Sequence, residues 1–163
     1  MCGIAGFIKF DSKLGNKELK SYSKKMSTKL QSRGPDADGQ WYDENYGISI
    51  SHRRLSIIDL SKNANQPFLS LNGRYVMAYN GEIYNFKNIR SDLEKRGVKF
   101  KTNSDTEVLL ELISFKGIFK AVKLLNGMFS FAVWDRKFKK LFVVRDRVGI
   151  KPVYIYYDNK NFS

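Results

Sequence analysis

Met1-Cys2-Gly3-Ile4-Ala5-Gly6-Phe7-Ile8 opens the chain and places its one cysteine directly behind the initiator methionine. The stretch from 3 to 10 reads as a buried first strand, in which Gly3 and Gly6 let another backbone or a ligand approach closely. Removal of Met1, expected when the second residue is small, leaves Cys2 carrying both a thiol and a free α-amine. An α-amine ordinarily titrates near ~7.7 to 8.0 and a thiol near ~8.5, so proton exchange between two such groups is nearly balanced and needs no histidine. Threonine paired with its own terminal amine is activated in the same way. The plain alternative is a small buried hydrophobe at the start of a strand.

Composition narrows the classes available. At 163 residues, with 42% hydrophobic and 14% aromatic side chains, the chain fits one domain with a real core. One cysteine excludes an internal disulfide and a four-thiolate metal site, and the single histidine, His52, argues against a histidine-ligated metal. A reducing, cytoplasmic setting follows as the expectation. The run Ile4 to Ile8 is short, lacks basic residues ahead of it and is broken by Lys9, so no signal peptide is read there. Nor does any apolar stretch approach the ~20 residues of a membrane helix. The formal charge of +13 invites a nucleic-acid reading, but the lysines are scattered and form no block or recognised motif. Specific nucleic-acid binding is therefore not expected.

Leu19, Tyr22, Met26 and Leu30 recur at helical spacing and predict one helix ending near Gln31. Ser32 to Gly39 reads as a compact loop, followed by β-like runs at Trp41-Tyr42, Ile48 to Ser51 and Leu55 to Ile58. Between the last two runs lies His52-Arg53-Arg54. A buried arginine needs an anion, and its planar fork suits a carboxylate, so Arg54 is a candidate either for gripping a substrate carboxylate or for an internal salt bridge. His52 reads as a satisfied core or edge histidine.

Arg74 to Tyr79 predicts a strand running into Asn80-Gly81-Glu82-Ile83-Tyr84-Asn85. Asn-Gly is a hairpin turn signal, but an asparagine amide beside an unobstructed glycine N–H also offers the two donors an oxyanion hole requires. Phe86, Ile89 and Leu93 mark a short helix closed by Gly97. Ser104 and Glu107 fit a capping box opening another, buried through Val108, Leu109, Leu112 and Ile113. Asp105 in its first turn serves either the helix dipole or a ligand's ammonium group. Gly127 to Asp135, Lys140 to Val144 and Val153 to Tyr157 predict three further strands.

Cys2-Gly3-Ile4-Ala5-Gly6, Arg33-Gly34-Pro35-Asp36, His52-Arg53-Arg54-Leu55-Ser56-Ile57, Gln66-Pro67, Tyr79 to Asn85, Ser104 to Glu107 and Arg145-Asp146 with Gly149, Lys151 and Pro152 occur in one order. Together they resemble the glutaminase domain of glutamine-hydrolysing asparagine synthetases, class II glutamine amidotransferases with the N-terminal nucleophile hydrolase fold. The resemblance covers nearly the whole chain, and residues 2–163 are expected to form one such domain. It implies an α+β fold, two antiparallel sheets stacked face to face with helices outside. It also implies that Cys2 is the nucleophile with its own amine as base. Arg54 would hold the glutamine α-carboxylate with backbone groups of Leu55 and Ile57, and Asp105 and Glu82 would hold the α-ammonium. The Asn80 side chain and the Gly81 N–H would form the oxyanion hole. The implied reaction releases ammonia and hydrolyses a γ-glutamyl thioester to glutamate.

In the family, ammonia then reaches a synthetase domain where ATP and aspartate react. No Ser-Gly-Gly-x-Asp-Ser loop for pyrophosphate occurs here, so no cofactor or metal is expected in this chain, and ATP with Mg²⁺ is expected only in a synthetase domain or subunit acting as its partner. The resemblance also implies a further strand after Ser163, so the domain is expected to be incomplete at that end. Two readings compete: an inactive fragment that at most binds glutamine or a partner chain, and a glutaminase serving a sugar or polysaccharide acceptor.

Overall fold

A computed structural model describes residues 1–10 and 14–163. In chain order the elements are β1 (Gly3–Lys9), α1 (Asn16–Lys29), β2 (Ala37–Asp43), β3 (Ile48–Arg54), β4 (Phe68–Leu69) and β5 (Tyr75–Ile83). There follow α2 (Phe86–Glu94), α3 (Asp105–Lys116), α4 (Ile118–Lys123), β6 (Gly127–Asp135), β7 (Lys140–Arg145) and β8 (Asn161–Phe162). The strands form two four-stranded antiparallel sheets, ordered β2-β3-β1-β8 and β4-β5-β6-β7.

Alternation along the strands builds the layers, because successive side chains point to opposite faces. Ile48 and Ile50 of β3 meet Ala78 of β5 and Trp134 of β6, with Ile4, Ile8, Trp41 and Leu141 packed around them. That is the layer between the sheets. The other face of the second sheet, Tyr75, Met77, Tyr79, Phe129, Phe131 and Val133, packs on α2, α3 and α4 through Leu93, Val108, Leu109, Leu112, Ile118 and Ala121. Helix α1 covers the first sheet. It buries Leu19, Ser23 and Ser27, leaving Tyr22 exposed in a T-shaped contact with Phe7. One serine on this face serves a cation: the buried Arg53 donates from Nε to the Ser27 carbonyl at 3.2 Å and its hydroxyl at 3.1 Å. The order helix, sheet, sheet, helices is the expected α+β sandwich.

Several local expectations are corrected. The Asn80-Gly81 pair is not a turn; both lie within β5, opposite Ser130 and Phe129. A Cβ on Gly81 would stand 2.7 Å from the Phe129 Cα, so here glycine permits close strand approach. The run Leu55 to Ile58 is not a strand, since β1 and β2 end at the register partners Gly3↔Arg53 and Ala37↔Arg54 and leave no ladder to continue. β2 already begins within the predicted loop, at Ala37. Val153 to Tyr157 finds no ladder, only a bridge from Tyr157 to Phe162 beside the paired Tyr156–Ser163 hydrogen bonds, and Tyr154 to Tyr157 are all exposed. The capping box is half formed: Ser104 Oγ accepts from the Glu107 N–H at 3.2 Å. The Glu107 carboxylate instead takes the N–H groups of Lys101 and Thr102.

Candidate active site

Cys2 precedes β1 by one residue and shares the parity of Ile4; Arg54 shares that of Ile48 and Ile50, and Asn80 that of Ala78. All three therefore emerge from inner faces at one end of the sandwich. A cavity of about 170 Å³ opens there. It is lined by Cys2, Arg54, Leu55, Ile57, Asn80, Gly81, Glu82 and Asp105, the full set of residues expected from the sequence.

Cys2 is partly exposed. Its Sγ receives the Leu55 N–H at 3.4 Å and lies 3.6 Å from the Leu55 carbonyl, and its own carbonyl accepts from Arg33 Nε at 3.3 Å. The irregular segment after Arg54 thus supplies the backbone that aims the thiol. That segment is pinned by the Ser56 N–H, which donates to Asp36 Oδ2 at 2.7 Å.

Arg54 is buried and has no carboxylate partner among the described residues. It donates from Nη1 to the Ser61 carbonyl at 2.8 Å and to Asn65 Oδ1 at 2.7 Å, and from Nη2 to the Asp59 carbonyl. Three of its five N–H donors are thereby used by neutral oxygens, leaving two for a ligand. The internal salt bridge is absent. What remains is a buried positive charge in a cavity wall, a site that favours an anion.

The free edge of β5 carries the donors. β4 pairs only with Val76 and Met77. Beyond them, Phe129 turns its N–H and carbonyl toward Asp146 rather than toward Gly81. Tyr79, Gly81 and Ile83 therefore all direct their N–H groups to the open edge. The Tyr79 N–H is taken by Gln66 Oε1 at 2.6 Å and the Ile83 N–H by Asp105 Oδ2 at 3.0 Å. Between them the Gly81 N–H faces the cavity. The Asn80 side chain, 7% exposed, makes no hydrogen bond to a described residue. Both donors thus belong to residues that line the same cavity as Cys2.

Asp105, 4% exposed, opens α3. Its Oδ2 accepts from the Tyr79 hydroxyl at 2.7 Å, and burial pushes its carboxyl above the ordinary range, opposed by the Tyr79 and Ile83 hydrogen bonds. Burial likewise raises the Tyr79 phenol, with the Asp105 charge adding to it. Glu82 stands exposed at the rim.

Sequence reasoning assigned no role to Arg33, Gln66 or Tyr79, although each sits in a motif quoted above. Their signal was position alone; only the fold shows them holding the Cys2 carbonyl, the Tyr79 N–H and Asp105. His52 is half satisfied: its Nε2–H donates to the Tyr79 carbonyl at 3.0 Å, while Nδ1 has no partner. Burial, with the Arg54 charge, pushes its imidazole down to about 4 despite the Tyr79 carbonyl. In the unfolded chain it would titrate near ~6.5. As pH falls from there, the unfolded state gains a proton that the folded state refuses, so stability falls by on the order of 3 kcal/mol by pH ~4. His52→Gln should flatten the unfolding midpoint against pH across this window; an equally steep decline would refute the account.

Stacked antiparallel sheets with a cysteine one residue ahead of an interior strand define the N-terminal nucleophile hydrolase architecture. The solved glutamine phosphoribosylpyrophosphate amidotransferase of B. subtilis superposes with a TM-score of 0.74, over 97% of this chain and 41% of that one, at 22% identity. Residues 1–163 match the glutamine amidotransferase domain family, and the chain belongs to it. Asparagine synthetase [glutamine-hydrolyzing] 2 of Bacillus subtilis is 42% identical over 94% of this chain, and asparagine synthetase B of Escherichia coli 38% identical over 97%. The chain spans 20% and 27% of the length of those relatives.

Proposed function

We propose that residues 2–163 form a glutaminase that, once Met1 is removed, hydrolyses the glutamine side-chain amide through Cys2. The observation that carries this is the convergence of eight expected residues on one cavity. The Cys2 amine takes the thiol proton, Sγ attacks the amide carbon, and the developing oxyanion receives the Asn80 amide and the Gly81 N–H. The proton returns to the leaving nitrogen, ammonia departs, and water hydrolyses the thioester to glutamate. Arg54 holds the α-carboxylate, helped by backbone at Leu55 and Ile57, while Asp105 and Glu82 hold the α-ammonium.

The acceptor of the ammonia is aspartate, activated by ATP and Mg²⁺ in a synthetase domain or subunit, in keeping with the names of the relatives. The setting is the cytoplasm, in keeping with a lone free cysteine. No helix among the described residues is long and apolar enough to cross a membrane.

The test is ammonia and glutamate release from glutamine by the purified chain, with its intact mass to establish loss of Met1. Equal amounts of both products are expected; a folded, Met-free chain that releases neither would overturn self-sufficient turnover. Arg54→Lys keeps the charge but loses the fork. It should raise KM for glutamine by about 10- to 100-fold, the worth of one charged hydrogen bond, with a smaller change in kcat. An unchanged KM would remove Arg54 from the carboxylate site.

A further inference from the structure

Lys151 is a buried cation that the mechanism above does not use. It is 4% exposed, its Nζ lies 2.8 Å from Met1 Sδ, and it lines the Cys2 cavity. No carboxylate pairs with it among the described residues. The nearest acid in sequence, Asp146, spends its oxygens on the N–H groups of Phe129, Ile150 and Lys151 itself, at 3.2, 2.8 and 2.9 Å. A thioether is a weak acceptor for an ammonium, and burying a charge without a strong partner is costly. The side chain that covers Lys151 belongs to the residue that must leave.

We infer that Lys151 is a positioning residue for the base: with Met1 gone, its ammonium faces the Cys2 amine and holds that amine in its neutral, proton-accepting form. A like charge nearby disfavours protonation of an amine, and the effect is largest where water is excluded. Arg33, on the Cys2 carbonyl, and Arg54, across the cavity, act in the same sense. Glu82 and Asp105 oppose it, but Glu82 is exposed to water and Asp105 Oδ2 is engaged by Tyr79 and Ile83. Tyr79 faces the same space as a neutral phenol, raised by its burial.

This inference rests on the amine acting as base, so its test has a readout separate from turnover. Because the chain has a single cysteine, ¹³C-cysteine labelling of Met-free protein gives one Cα signal whose shift follows the amine. In Lys151→Met the titration midpoint should rise by about half a unit or more relative to the parent, and Lys151→Arg should restore it. The acid limb of kcat/KM should move up with it, while activity recovers at high pH. An unmoved midpoint in a folded Lys151→Met or Lys151→Gln protein would overturn the inference, as would a loss of activity equal at every pH. A midpoint that moves in a protein with no glutaminase activity would leave Lys151 as assigned and sink the proposed function instead.

Discussion

Cys2→Ala protein should release no ammonia from glutamine while unfolding at nearly the same temperature as the parent. The thiol is partly exposed and engaged only through its two contacts with Leu55, so its loss removes little packing. It does remove the atom proposed to form the covalent bond. Among the described residues lining the cavity there is no other thiol and no histidine, and Ser104 Oγ is engaged as the cap of α3. The fall in kcat should be on the order of 10⁴-fold or more, since groups that act as a unit fail together. Glutamine should still bind, because Arg54 and Asp105 are untouched, and calorimetry on the variant would show it. Residual turnover within ten-fold of the parent would remove Cys2 from the mechanism.

Keeping Met1, or adding residues ahead of it, should abolish turnover although the thiol is intact. Two physical effects coincide. Converting the Cys2 amine into an amide removes the proposed base, and general-base assistance is typically worth 10²- to 10⁴-fold. The retained Met1 side chain also lines the Cys2 cavity and covers Lys151. Labelling with iodoacetamide would show the thiol still accessible to a small reagent, while ammonia release falls by at least about 10²-fold. An extended chain that turned over glutamine normally would refute the amine as base.

Much of the sandwich was legible because its signals are local. β1, β5, β6 and β7 follow from apolar runs, and α1 and α3 from helical spacing. The misses among the strands share one cause. Leu55 to Ile58 and Val153 to Tyr157 have strand composition, but a strand needs a partner edge along its length; no ladder continues beside the first, and the second meets only the end of the chain, at Tyr157↔Phe162 and Tyr156 with Ser163. Asn80-Gly81 has turn composition, yet β6 runs alongside it and keeps it extended. Helix α4, six residues beginning just after Gly117, carried too short a period to be read.

The sequence by itself determined the chemistry available: one thiol beside the initiator methionine, a fork-shaped cation in the run from 52 to 54, a carboxylate at the head of α3 and a paired amide and glycine. These are properties of residue type and order, and they need no distances. Only the tertiary structure decided how those groups are placed and partnered. It gave Arg54 three neutral oxygens in place of an internal salt bridge, one of the two readings its sequence allowed, leaving its charge for a ligand. It directed the Gly81 N–H to an open edge because β4 ends too early to cover it. It also set Lys151 against Met1 across 150 positions of chain. Such outcomes depend on which strand ends beside which, and burial gives them their energy, so no window of neighbouring residues contains them.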